Sequence, residues 1–132
     1  LGVDGSASND AGSLAGEMRA AMLLQRVSRG ADAMSAREVL EIATLGGAKV
    51  LGRDDCGALE PGRRADLAIW NIGGIEAAGA WDPVAALVFC GPQKVRDLYV
   101  EGRQVVRDWQ VTTLDLPLVI ERQARLAARL MG

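Results

Sequence analysis

The groups in this chain best suited to chemistry lie in one short stretch, Gly2-Val3-Asp4-Gly5-Ser6-Ala7-Ser8-Asn9-Asp10. An acid flanked by glycine follows an apolar lead-in and opens into hydroxyls, an amide and a second acid, the pattern of a strand end running into a polar loop before a helix. Open α/β sheets and α/β barrels place their chemistry there, where side chains at the C-terminal ends of strands converge on a mouth of loops. An ionised carboxylate at such a place accepts a metal ion or a proton. Loop and cap duty is the competing reading, with Asn9 or Asp10 satisfying free N–H groups of the next helix.

Other chemistries are excluded by composition. There is no histidine, so the chain by itself cannot supply the imidazoles that hold zinc or iron in a hydrolytic site. Cys56 and Cys90 stand alone, with no CxxC pair, and are expected to be free thiols. Fifteen basic residues against seventeen acidic ones leave a charge of -2, which argues against a nucleic-acid partner. One Tyr and one Phe provide no base-stacking platform. With no apolar run long enough for a membrane span and no signal-peptide pattern, a soluble, cytosolic protein is expected.

The elements that must position the loop are legible from periodicity. Leu14 to Arg29 reads as an amphipathic helix, with Ser13 as N-cap, Gly30 as stop, and Leu14, Met18, Ala21 and Met22 on its apolar stripe. Ser35-Ala36-Arg37-Glu38 is a capping box opening a second helix whose buried face is Val39, Ile42 and Ala43, ended or interrupted by Gly46-Gly47. Residues 48–52 add a further short helical turn. Pro61-Gly62 predicts a type II turn, and Ala65 to Trp70 a buried strand entered at Asp66, an acid assigned a structural role. Asp82 caps a helical turn with Pro83 at its first position, while Ala86 to Phe89 fits helix or strand. Val95 to Val100 and Arg103 to Arg107 flank the turn Glu101-Gly102, with Leu98 and Val100 facing Val105. A final helix from Leu116 to Met131, capped by Asp115, should bury Ile120, Ala124, Ala127 and Met131.

Two of these stretches carry a resemblance. Gly2 to Asp10 with Glu17-Met18-Arg19 resembles the last barrel strand and following loop of the amidohydrolase superfamily, nearest to the aminohydrolases of 8-oxoguanine, guanine and triazines. The turn Glu60-Pro61-Gly62, the basic pair Arg63-Arg64 and Ala65-Asp66-Leu67 resemble that superfamily's entry into a small β-sandwich beside the barrel. The resemblance implies an α/β fold class: the C-terminal piece of a metal-dependent (β/α)8 barrel plus part of a composite β-sandwich. It divides the chain into 1–54 (barrel end), 55–110 (sandwich part with a short helix) and 111–132 (C-terminal helix). A whole barrel needs about 200 residues or more, so a fragment of a longer parent is expected.

In that parent the resemblance implies metal-dependent hydrolytic deamination of a purine-like heterocycle. Asp4 would be both metal ligand and catalytic residue, and Ser6, Ser8 and Asn9 would face the substrate. It also implies one divalent metal, zinc or alternatively iron, held mostly by ligands outside this chain. The expected partners are a small heterocyclic substrate, water, the missing N-terminal barrel segment and other copies in a homo-oligomer. The alternatives are a chlorohydrolase or dihydropyrimidinase-like relative and, for the isolated chain, a non-catalytic folding or interaction module.

Overall fold

The computed structural model describes all residues except Ser6, Asp10, Pro92 and Gln93. Helices α1 (Leu14–Arg29), α2 (Ala36–Ala43) and α3 (Leu45–Val50) come first, then strand β1 (Leu67–Trp70) and helix α4 (Pro83–Phe89). Strands β2 (Val95–Val100), β3 (Arg103–Arg107) and β4 (Gln110–Val111) precede helix α5 (Leu116–Met131). The strands form one antiparallel sheet in the order β1-β2-β3-β4.

Local signals decide most helix ends. The Ser13 hydroxyl accepts from the Gly16 N–H, and the Gly30 N–H closes α1 on the carbonyl of Arg26. Ser35 and Glu38 form the expected capping box, and the Ser35 hydrogen bonds hold the Glu38 carboxyl below its ordinary range. Asp82 accepts from the Val84 N–H ahead of Pro83, which settles Ala86 to Phe89 as helix. Asp115 accepts from the Leu118 N–H at the start of α5.

α1, α2 and α4 share one apolar cluster. Met18, Met22, Ala36, Val39 and Val88 are buried in it, with Met22 and Val39 fully so. Arg37 on α2 pairs with Asp82 at 3.1 Å, tying the cap of α4 to the same cluster.

Several expectations need correction. The break after α2 falls at Thr44 (φ -104°, ψ -83°), and Gly46 and Gly47 lie inside α3. Glycine only weakens a helix, by about 1 kcal/mol, whereas the Thr44 hydroxyl bonds back to the carbonyl of Leu40 at 2.8 Å and competes with the regular ladder. Ile42 is 40% exposed and lines a shallow groove of about 390 Å³ between α2 and α3 with Met34 and Leu45. Leu14 also faces solvent. β1 is an edge strand whose Ala68 and Ile69 are exposed, not a buried one. No residue of α5 is buried, so Ile120, Ala124, Ala127 and Met131 form an apolar line with nothing over it. An amphipathic pattern specifies which face seeks a partner, and the partner must come from elsewhere.

Carboxylates and arginines organise the sheet. Gly62 takes φ +90°, with the Arg63 N–H on the carbonyl of Glu60, as the Pro-Gly turn requires. Arg53 and Arg64 both donate to Asp55, and these hydrogen bonds, that from Arg53 first, hold its carboxyl well below the usual carboxylate range. Arg64 also pairs with Glu101. Asp66 is structural as expected, its Oδ1 accepting the Glu101 N–H at 2.7 Å. Glu101 (φ 51°) and Gly102 (φ 77°) turn the β2–β3 hairpin with positive φ at both central positions. Leu98 faces Val106, and a register shift after Leu98 leaves Val105 out of the pairing expected for it.

Asp97 is the buried charge of the sheet, 8% exposed. It accepts from Arg96 Nε, Gln104 Nε2 and the Asp108 N–H, so it secures a second turn in which Asp108 and Trp109 have positive φ without a glycine. The Arg96 hydrogen bond, then that from Asp108, depress its carboxyl below the ordinary range.

Removing the Met22 side chain should leave a cavity between three helices and cost about 2–5 kcal/mol in denaturant unfolding of Met22→Ala. Leu130→Ala, on an exposed position, should stay within about 0.5 kcal/mol of the unaltered chain. Equal effects of the two would refute this location of the core. A depressed carboxyl stabilises the fold above its unfolded pKa and loses that contribution as pH falls through its folded one. Asp97→Asn should therefore be less stable than the unaltered chain at neutral pH, with the gap closing below about pH 3.9. A gap that does not change from neutral to strongly acidic pH would show that the charge of Asp97 does not matter.

Candidate functional site

Asp4 is exposed and belongs to no strand. A barrel strand takes its ladder hydrogen bonds from neighbours on both sides, and among the described residues, residues 1–5 have none. Its φ is 60°, a left-handed conformation that Asp tolerates better than most residues. Glu101, Asp108 and Trp109, the other described non-glycine residues with positive φ, sit in hairpin turns. Asp4 has no hairpin to account for its conformation, and such outliers cluster at functional positions.

The loop after Asp4 is tightly turned. Asp4 Oδ1 accepts the Gly5 N–H at 2.7 Å, and the Gly5 carbonyl accepts the N–H groups of Ser8 and Asn9 at 2.9 and 3.0 Å. Among the described residues, Oδ2 of Asp4 takes no hydrogen bond and neither oxygen forms an ion pair.

The residues expected to meet a substrate are placed differently from one another. Ser8 is exposed. Ser6 and Asp10 lie outside the described residues. Asn9 is half-buried, and both ends of its amide are engaged: Oδ1 accepts the Ala11 N–H at 3.1 Å and Nδ2 donates to Glu17 Oε1 at 2.6 Å. In the sequence Glu17 stands within the Glu17-Met18-Arg19 stretch of the family resemblance, with no site role assigned to it. The one signal for its further contact was an acid in the first helical turn behind a loop amide.

No three His, Cys, Asp or Glu residues are grouped to hold a metal among the described residues. A zinc site takes about four donors, so the donor set of the described residues does not fit zinc alone. Asp4 by itself offers one carboxylate. Cys56 and Cys90 are free thiols, as expected. Among the described residues no helix is long and apolar enough to cross a membrane.

The amidohydrolase family model matches residues 1–105, and the chain belongs to that family. It is 41% identical over 132 residues, 100% of this chain and 29% of the relative, to an 8-oxoguanine deaminase of Pseudomonas aeruginosa. Identity is 40% to a 5-methylthioadenosine/S-adenosylhomocysteine deaminase of Desulforudis audaxviator, over 99% of this chain and 31% of that protein. Among solved structures, an atrazine chlorohydrolase of Arthrobacter aurescens complexed with zinc superposes with TM-score 0.85 at 36% identity, covering 92% of this chain and 28% of that one. An adenosine deaminase of Xanthomonas campestris with bound zinc gives 0.87 at 28% identity, covering 95% and 29%. The chain thus spans less than a third of each relative, and its fold is the corresponding C-terminal portion of an amidohydrolase.

Proposed function

We propose that these residues belong to a metal-dependent aminohydrolase that converts the amino carbon of a purine-like heterocycle, 8-oxoguanine or guanine in type, to a carbonyl with release of ammonia. The observation that carries the reading is Asp4 itself, held in a left-handed conformation at the head of the polar loop, with one carboxylate oxygen that takes no hydrogen bond among the described residues. The likeness over the full chain to an 8-oxoguanine deaminase supports the substrate class. In this reading residues 1–54 complete the barrel, 55–110 contribute to a sandwich and 111–132 form the terminal helix.

The metal, zinc by analogy with the zinc-bound relatives, would lower the pKa of the attacking water. Asp4 would supply one ligand oxygen, accept the proton of that water as general base, and return it to the departing amine. Ser6 and Ser8 would face the ring. Asn9 would contribute through the loop, since its amide is already engaged.

Asn tolerates the left-handed conformation as Asp does, so Asp4→Asn in the full-length enzyme should keep the fold. It should lower ammonia release from 8-oxoguanine by about 10²–10⁴-fold, with an unchanged melting temperature. Near-normal turnover would remove Asp4 from the mechanism. Chloride release from a chlorotriazine, with no ammonia from either purine, would favour the chlorohydrolase alternative.

A second reading concerns the isolated chain and rests on α5, where Val119, Ile120, Leu126, Leu130 and Met131 are all exposed. Apolar surface of that extent marks an association face, here for self-association. Sedimentation of the 132-residue chain should give a mass above its 13.9 kDa, returning to monomer in Ile120→Glu. A monomer before substitution would overturn this reading.

A further inference from the structure

A continuous hydrogen-bonded path runs from α1 to the carboxylate of Asp4. Glu17 Oε1 accepts from Asn9 Nδ2 at 2.6 Å, Asn9 N–H donates to the Gly5 carbonyl at 3.0 Å, and Gly5 N–H donates to Asp4 Oδ1 at 2.7 Å. The first link is charge-assisted and half-buried, which makes it stronger than a neutral pair in water. Its helical end is tied to the fold, because the adjacent Met18 is buried in the three-helix cluster. Asn9 also accepts the Ala11 N–H, so its amide is held from both sides and cannot turn without breaking the path.

We infer that Glu17 is a positioning residue that acts through Asn9 to set the backbone and carboxylate orientation of Asp4. The inference rests on the reading of Asp4 as ligand and base. A carboxylate in a tight turn has few orientations, and which one it holds depends on the loop carbonyl and amide between them. Glu17 anchors that loop to the first turn of α1, the helix that follows it in sequence. Partners that orient a ligand without touching the metal change metal affinity or activity by about 10–100-fold when removed.

The test uses the full-length zinc-loaded enzyme. Glu17→Ala and Asn9→Ala should each lower kcat by about 10-fold or more, with KM for 8-oxoguanine within about twofold, and should weaken zinc retention against a chelator. Glu17→Gln keeps an acceptor for Asn9 and should restore most of kcat. The double variant should be no worse than the worse single one, because both break the same path. The amides of Gly5 and Asn9 should exchange faster in Glu17→Ala while those of α2 and α4 do not. Unchanged kcat and zinc retention in Glu17→Ala would overturn the inference. So would a loss accompanied by faster exchange throughout the helices, which marks a structural role alone. An inactive Asp4→Asn with a silent Glu17→Ala would sink only the positioning role, whereas an active Asp4→Asn would sink the reading beneath it.

Discussion

The contact of Met22 with Val39 and Val88 is the constraint on which the rest of the structure depends. These side chains come from three helices, and the third is reached only after the chain has left for β1 and returned. Burying them fixes how α1, α2 and α4 cross, and the Arg37–Asp82 pair secures the same junction at the surface. An exposed ion pair of this kind adds little energy. Closely packed apolar groups supply the stability, since loss of any one leaves space the neighbours cannot fill. The same helix carries Glu17, which accepts from Asn9 of the polar loop.

The sheet half is held differently. Few of its side chains are buried, and its turns are secured by carboxylates that accept backbone N–H groups: Asp66 at Glu101, and Asp97 at Asp108. Both turns put non-glycine residues in the left-handed region, and each acid offsets that strain with a hydrogen bond to the strained residue's own N–H. Arg96 pairs with Asp97, while Arg53 and Arg64 donate to Asp55 and Arg63 to the Cys56 carbonyl, which binds the loop before β1 to the strand entrance. The contribution of these ionised groups is lost as pH falls, whereas the apolar contacts of the helical cluster do not titrate.

Membership of the amidohydrolase family gives both halves a common context. Relatives matched over the whole or nearly the whole of this chain are about three times as long. Ile42 and Leu45 beside the α2–α3 groove, Ile69 on β1 and the apolar face of α5 are exposed within these residues. So is Asp4.

Capping and turn chemistry was legible in the sequence because each device acts over three or four residues: Ser13 on Gly16, Ser35 with Glu38, Asp82 on Val84, Asp115 on Leu118, and Pro61-Gly62 in its turn. The family was legible too, since the motifs around Asp4 and around Glu60 to Leu67 are contiguous. Tertiary structure alone decided the break at Thr44, the register shift beyond Leu98, the burial of Asp97 and the grip of Glu17 on Asn9. It also decided that the stripe of α5, plain in the sequence, has nothing to pack against here. Periodicity and capping are properties of a segment, whereas burial and register are properties of a pair, and a pair is settled only when both members are brought together.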